Sequence, residues 1–225
     1  MSSVHPGFRQ AAIWLAGIAL AVLAASAAFG SVMQRAMPLV AMQAFPENGW
    51  ASARAAELVA RQAVLANGGQ LPEQFPAQAI ALARKGYASE PLAVEAPRIL
   101  AFDLAARGDR EAARRVMPLG PALSKRERGA NIWLAEDYAM LGDEADAFRY
   151  FDLTLRTSAS AKQALLPRMV GALASDAAIQ PLAMLLGRDP PWSIDFWRLA
   201  VRDPARAPNV VKVRMAQDGP ASDNG

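Results

Sequence analysis

Two stretches of this chain repeat at a spacing of 34 residues, and a repeat of that length restricts the fold to a few stacked architectures. Arg98–Leu119 aligns with Ile132–Leu153, and nine of the 22 positions are identical. Leu100 matches Leu134, Ala101 matches Ala135, Asp103 matches Asp137 and Ala105 matches Ala139. Gly108-Asp109 matches Gly142-Asp143, followed by Ala113 with Ala147, Arg115 with Arg149 and Leu119 with Leu153. In an alanine-rich chain the shared Gly-Asp pair carries more weight than the shared alanines.

The spacing predicts a unit of helix, tight turn, helix. Gly108 and Gly142 close the first helix, because a residue without Cβ reaches positive φ at little cost. Asp109 and Asp143 follow and can cap the second helix. Small Ala101, Ala113, Ala135 and Ala147 let paired helices approach. Leu100, Leu134, Tyr138, Phe148 and Phe151 fill the space between units. Neither unit buries its apolar faces alone, so the units are expected to stack.

These residues resemble the tetratricopeptide repeat (TPR). In that family a Leu-Ala pair precedes the inter-helix Gly, an Ala and then an aromatic residue follow it, and a Pro stands near the repeat end. Leu134, Ala135, Gly142, Ala147 and Phe151 meet the pattern; Leu100, Ala101, Gly108 and Ala113 meet most of it, and Pro91 takes the terminal position of the preceding unit. A further unit reads upstream, with Trp50–Ala66 as one helix, Asn67-Gly68-Gly69 ending it, and Gln78–Ala88 as the other, with Ala79 at the packing position. Its length exceeds one period, so an insertion containing Leu71–Phe75 lies between its helices. Pro118 and Pro121 depart from the pattern and must stop or kink a helix near Met117; Gly120 stands where the family has Ala. The resemblance covers residues 36–160 and implies an all-α solenoid of antiparallel helix pairs. It also implies a concave groove lined by Trp50, Glu57 and Arg61, then Glu95, Arg98 and Phe102, then Ile132, Glu136 and Met140. Mixed charge with an aromatic residue and a methionine suits a peptide or a partner helix, and an ordinary solvated face has the same composition.

From Gln10 to Gln34 no residue is charged. Residues 11–30 match the ~20 residues a helix needs to cross a bilayer. Ile13, Leu15, Ile18, Leu20, Val22, Leu23 and Phe29 together contribute about −2 to −4 kcal/mol to insertion. Three readings are open: an uncleaved anchor behind a short tail of residues 1–10, a secretory signal cleaved after Ala25-Ser26-Ala27, or a buried core helix. Arg9 on one side and Arg35 on the other give little positive-inside bias. The usual arrangement of a lone N-terminal span places the following domain outside the cytoplasm, here the periplasmic face of an inner membrane.

Beyond the repeats, residues 161–202 read as a helical cap. Ala161–Ser175 and Ile179–Gly187 form helices, and Ser193 caps a helix containing Phe196, Trp197 and Leu199. Trp192, Phe196 and Trp197 cluster, either to seal the last repeat or to contact a partner or membrane surface. From Asp203 to Gly225 the accumulation of Pro, Asp, Asn and Gly predicts a flexible tail.

Composition narrows the chemistry. The chain has no cysteine and one histidine, His5, which removes disulfides, thiolate sites, His-ligated zinc and Ser-His-Asp catalysis. A net charge of +3 over 225 residues is no footprint for nucleic acid. There is no Gly-rich phosphate loop. Glu136-Asp137 and Asp143-Glu144 are sequence neighbours and do not face one another across a cleft. No cofactor and no metal is expected. The resemblance implies a membrane-anchored, non-enzymatic scaffold or adaptor for protein partners at a bacterial cell envelope. A soluble periplasmic binding module and a carbohydrate-active enzyme are the alternatives.

Overall fold

The computed structural model describes residues 6–218. They form helices and turns, with no strand among the described residues. His5 and the last residues of the expected tail, 219–225, lie outside them. The chain divides between Gly108 and Asp109 into two compact units, a division that falls inside the turn of the middle repeat.

The first unit holds α1 (Pro6–Ala36), α2 (Pro38–Ala44), α3 (Gly49–Ala66), α4 (Ala77–Ser89) and α5 (Glu95–Ala106). Helix α1 runs unbroken through the apolar segment and stops at Met37, which leaves the helical region at φ −140° and ψ 67°, as the α conformation is disfavoured before Pro38. Ile13–Ala36 is long and apolar enough to cross a membrane. Its large side chains, from Ile13 to Phe29, are more than half exposed, so α1 is not the core helix of a soluble fold. At its far end Asn48 Nδ2 donates to Gln34 Oε1 at 3.1 Å, and Gly30 lies against the Phe45 ring. Asn48 also caps α3, its Oδ1 accepting from Ala51 N at 3.0 Å.

Alanines make the α3–α4 contact close. Ala53, Ala56, Ala79 and Ala83 are fully buried. Where the helices come nearest, Gly86 sits against Ala53, and a Cβ there would lie 2.8 Å from the Ala53 nitrogen. Gly86 therefore sets that approach, and the repeat pattern did not point to it. Helix α3 ends at Asn67, with Gly68 and Gly69 at φ 66° and 86°. Asn67 Nδ2 donates to Gln70 O and Leu71 O, which orders the start of the insertion.

The second unit holds α6 (Arg110–Val116), α7 (Leu119–Leu123), α8 (Arg128–Met140), α9 (Glu144–Thr157), α10 (Lys162–Ala172), α11 (Ile179–Leu186), α12 (Ser193–Ala200) and α13 (Ala207–Asp218). The two Gly-Asp turns have the same local structure. Gly108 and Gly142 have φ 86° and 77°. Asp109 accepts from Ala112 N at 3.0 Å, and Asp143 accepts from Asp146 N at 3.1 Å. Ala101, Ala113, Ala135 and Ala147 are fully buried. Leu134 is also fully buried, whereas its counterpart Leu100 is half-buried beside the Ile80–Phe75 cluster. Helix α6 stops before Met117 and α7 restarts behind Pro118, as two prolines in that stretch require.

Helices α8 and α9 pack together, with Tyr138 and Tyr150 stacked at 5.8 Å. Helix α10 packs on α12, and α11 packs on α9. Trp192 is fully buried and its Nε1 donates to Asp152 Oδ1 on α9 at 2.8 Å. Phe196 meets Trp192 and Trp197 edge to face, at 6.2 and 5.3 Å.

Two expectations are corrected. Ser193 does not cap α12; its hydroxyl donates to Asp189 Oδ1 at 3.0 Å. Residues 204–218 are not a flexible tail but a 3-10 turn followed by α13. The residues that suggested disorder instead begin structure. Asp203 accepts from Ala205 N at 3.0 Å, and Pro204 and Pro208 occupy first turns, where a missing N–H is harmless. Val213 is fully buried, α13 packs on α11, and Asn209 Nδ2 donates to Leu173 O at 2.8 Å.

Candidate partner-binding surface

Glu57 and Arg61 stand one turn apart on α3; Glu95, Arg98 and Phe102 follow at three- and four-residue steps on α5. Each set therefore lies along one face of its helix, and the packing of α3 on α5 brings the two faces together. Arg54 Nε lies 3.7 Å from Glu95 Oε1. Glu57 Oε1 accepts from Arg61 Nη2 and forms an ion pair with Arg98 Nη2, each at 3.2 Å.

Beside this ladder is a cavity of about 240 Å³. Ala60, Phe75 and Ile99 are buried at its base, and Val64, Leu71 and Phe102 form its sides. Glu57, Arg61 and Arg98 stand at its polar edge. Four of the residues expected to line a groove thus meet at one cavity: Glu57, Arg61, Arg98 and Phe102. Glu95 is set back in its pair with Arg54. Trp50 lies elsewhere, packed on Ala53, Ala93 and Ala96. It borders a separate cavity of about 550 Å³ between the end of α1 and the start of α3.

The remaining three residues lie in the second unit. Ile132 is half-buried, Met140 is exposed, and Glu136 pairs with Arg168 of α10. Sequence reasoning missed the apolar part of the cavity. Leu71 and Phe75 carry no repeat signature, and the only hint was that a loop rich in Gly and Pro retained two large apolar residues.

Comparison with protein-family models, with curated proteins and with solved structures finds no match to this chain.

Three of the four carboxylates that invited an acid/base test, Glu136, Asp137 and Asp143, are engaged. Asp137, 1% exposed, is held by Arg110 and Arg114, each at 2.6 Å, and Arg110 also lies over the Trp133 ring. Asp143 caps α9. Burial, then the charge of Asp143, raises the pKa of Glu144.

In the second unit Lys162 Nζ donates to Asp195 Oδ2 at 2.8 Å, joining α10 to α12. That hydrogen bond, then the lysine charge, holds the Asp195 carboxyl below its ordinary pKa. A carboxyl depressed in the fold contributes stability above its unfolded pKa, about 3.9, and loses it as pH falls through the folded value. Lys162→Met should move the Asp195 titration up toward that ordinary value, read from its carboxyl carbon by NMR. An unchanged titration would mean the pair is not formed in solution.

Proposed function

We propose that this chain is a single-span, membrane-anchored, TPR-like scaffold that holds a protein partner at a bacterial cell envelope. In this reading α3 with α4, and α8 with α9, are antiparallel helix pairs of TPR-like units, and the domain faces the periplasm. The observation that carries it is the cavity at Glu57, Arg61, Arg98 and Phe102. The repeat register points these residues toward one groove, and a register shifted by one or two residues would turn each set away from the α3–α5 contact.

The anchor has its own support. At about 1.5 Å per residue, Ile13–Gly30 spans roughly 27 Å, close to the ~30 Å hydrocarbon core. Residues 31–36 then emerge to meet α2 and α3 through Gln34 and Asn48. The Ala25-Ser26-Ala27 site lies within unbroken helix, with Ser26 Oγ donating to Val22 O at 2.8 Å. Intact mass of the protein purified from membranes should therefore show the N-terminal segment retained; a mass lacking residues 1–27 would establish the cleaved, soluble module instead.

A binding role is favoured over catalysis because three of the four candidate carboxylates, Glu136, Asp137 and Asp143, serve as ion-pair partners or a helix cap. A photo-crosslinking residue at Phe102 should capture a discrete partner in intact membranes, and the same group at exposed Leu65 should not. Equal labelling from both positions would remove the groove reading.

A further inference from the structure

The last turns of α1 face the start of α3 and the end of α4 across the cavity of about 550 Å³. Leu23, Ala27, Gly30 and Gln34 form the α1 wall, at three- and four-residue steps along one helix face. The small residues Ala27 and Gly30 keep that wall recessed. Glu47, Trp50 and Glu90 stand on the other side. Glu90 is held there by the close approach of Gly49, where a Cβ would lie 2.8 Å from the Glu90 nitrogen.

We propose that this cavity holds one phospholipid of the surrounding bilayer, with an ammonium headgroup beside Glu47 and Glu90 and an acyl chain along α1. The proposal rests on the membrane-anchored reading above and adds a lipid ligand to it. Depth comes first. Leu23 to Gln34 covers about 16 Å of helix at 1.5 Å per residue. With Ile13–Gly30 in the hydrocarbon core, Leu23 and Ala27 lie at the depth of the acyl chains, and Gln34 lies in the headgroup layer. The wall therefore runs from apolar to polar in the same direction as a lipid molecule. Trp50, packed on Ala53, Ala93 and Ala96, borders the cavity beside that layer, where an apolar ring with a polar N–H is at its most favourable. The volume falls within the ~300–1,000 Å³ of small-molecule sites.

Charge comes second. Glu47 and Glu90 are the charged residues of the lining, and among the described residues no lysine or arginine borders the cavity. An ethanolamine headgroup brings an ammonium with three N–H donors, as a lysine side chain would. A glycerol headgroup brings its phosphate charge with no cation, and meets repulsion from both carboxylates. The site is therefore selective for the amine-bearing lipid.

The test is reconstitution of the full chain in nanodiscs of equal parts phosphatidylethanolamine and phosphatidylglycerol, followed by native mass spectrometry of the lipid that stays bound. One phosphatidylethanolamine should be retained at least fivefold over phosphatidylglycerol. Glu47→Gln combined with Glu90→Gln should erase that preference. Ala27→Trp, which fills the cavity from an exposed helix position, should lower the retained lipid at least fivefold, with circular dichroism confirming that the variant folds. Ala19→Trp, the same change on α1 away from the cavity, should retain it. Equal retention of the two lipids, a preference unmoved by the double variant, or equal loss from Ala27→Trp and Ala19→Trp would overturn the lipid site, and incorporation of the chain into nanodiscs would leave the anchor standing. A chain that does not enter nanodiscs would overturn both.

Discussion

Replacing Trp192 with alanine should destabilise the second unit by about 3–5 kcal/mol, the range for removing a large buried aromatic side chain. Trp192 is fully enclosed, meets Phe196 edge to face, and ties α12 to α9 through Asp152. Its loss opens a cavity where the C-terminal helices meet the repeat helices. Asp152 retains Arg156 at 2.8 Å, so the polar cost is small and the packing cost dominates. For a chain of this length, about 2–4 °C per kcal/mol converts the loss to a fall in melting temperature of roughly 6–20 °C. Trp192→Phe keeps most of the ring area and gives up one hydrogen bond, so it should cost only about 1 kcal/mol. Thermal unfolding of the detergent-solubilised chain reads both. If Trp192→Ala melts with the parent, residues 161–218 are not part of one packed unit with α9.

Ala135→Trp and Ala147→Trp should each destabilise by about 1–3 kcal/mol or more, through overpacking rather than loss of contacts. Both alanines are fully buried in a unit where α8 packs on α9. An indole in either place forces the helices apart or its neighbours out of their rotamers. Ala139→Trp is the control. Ala139 is also conserved between the two repeats, but it is exposed, so the same substitution there should stay within about 0.5 kcal/mol. Equal melting of all three variants would show that the repeat register assigns these residues to the wrong faces.

The contrast between Ala139 and Ala135 shows what the repeat could reveal. Identity at the repeat spacing marked both, but only helical periodicity separates an inward position from an outward one. Features governed by a few neighbouring residues were readable. Positive φ at Gly108 and Gly142, the Asp109 and Asp143 caps, the break at Pro118 and the length of the apolar helix all follow from local backbone chemistry. Ser193 and the segment after Asp203 were misread for a related reason. Ser, Asp and Pro near a chain bend fit a cap, a turn or disorder equally well, and the partner that each side chain or segment finds decides among them. For Ser193 that partner is Asp189; for α13 it is the contact with α11 that buries Val213.

What the amino-acid order determined by itself is helical: where helices start and stop, which faces carry small residues, and which segment is apolar enough to enter a bilayer. These depend on interactions within a turn or two of chain. What only the tertiary structure decided is which faces meet. It placed Gly86 against Ala53, set Leu71 and Phe75 beside Ala60, Arg98 and Phe102, and divided the chain between Gly108 and Asp109. Such contacts join residues far apart in sequence, and each exists only because packing, not local preference, is lowest in free energy there.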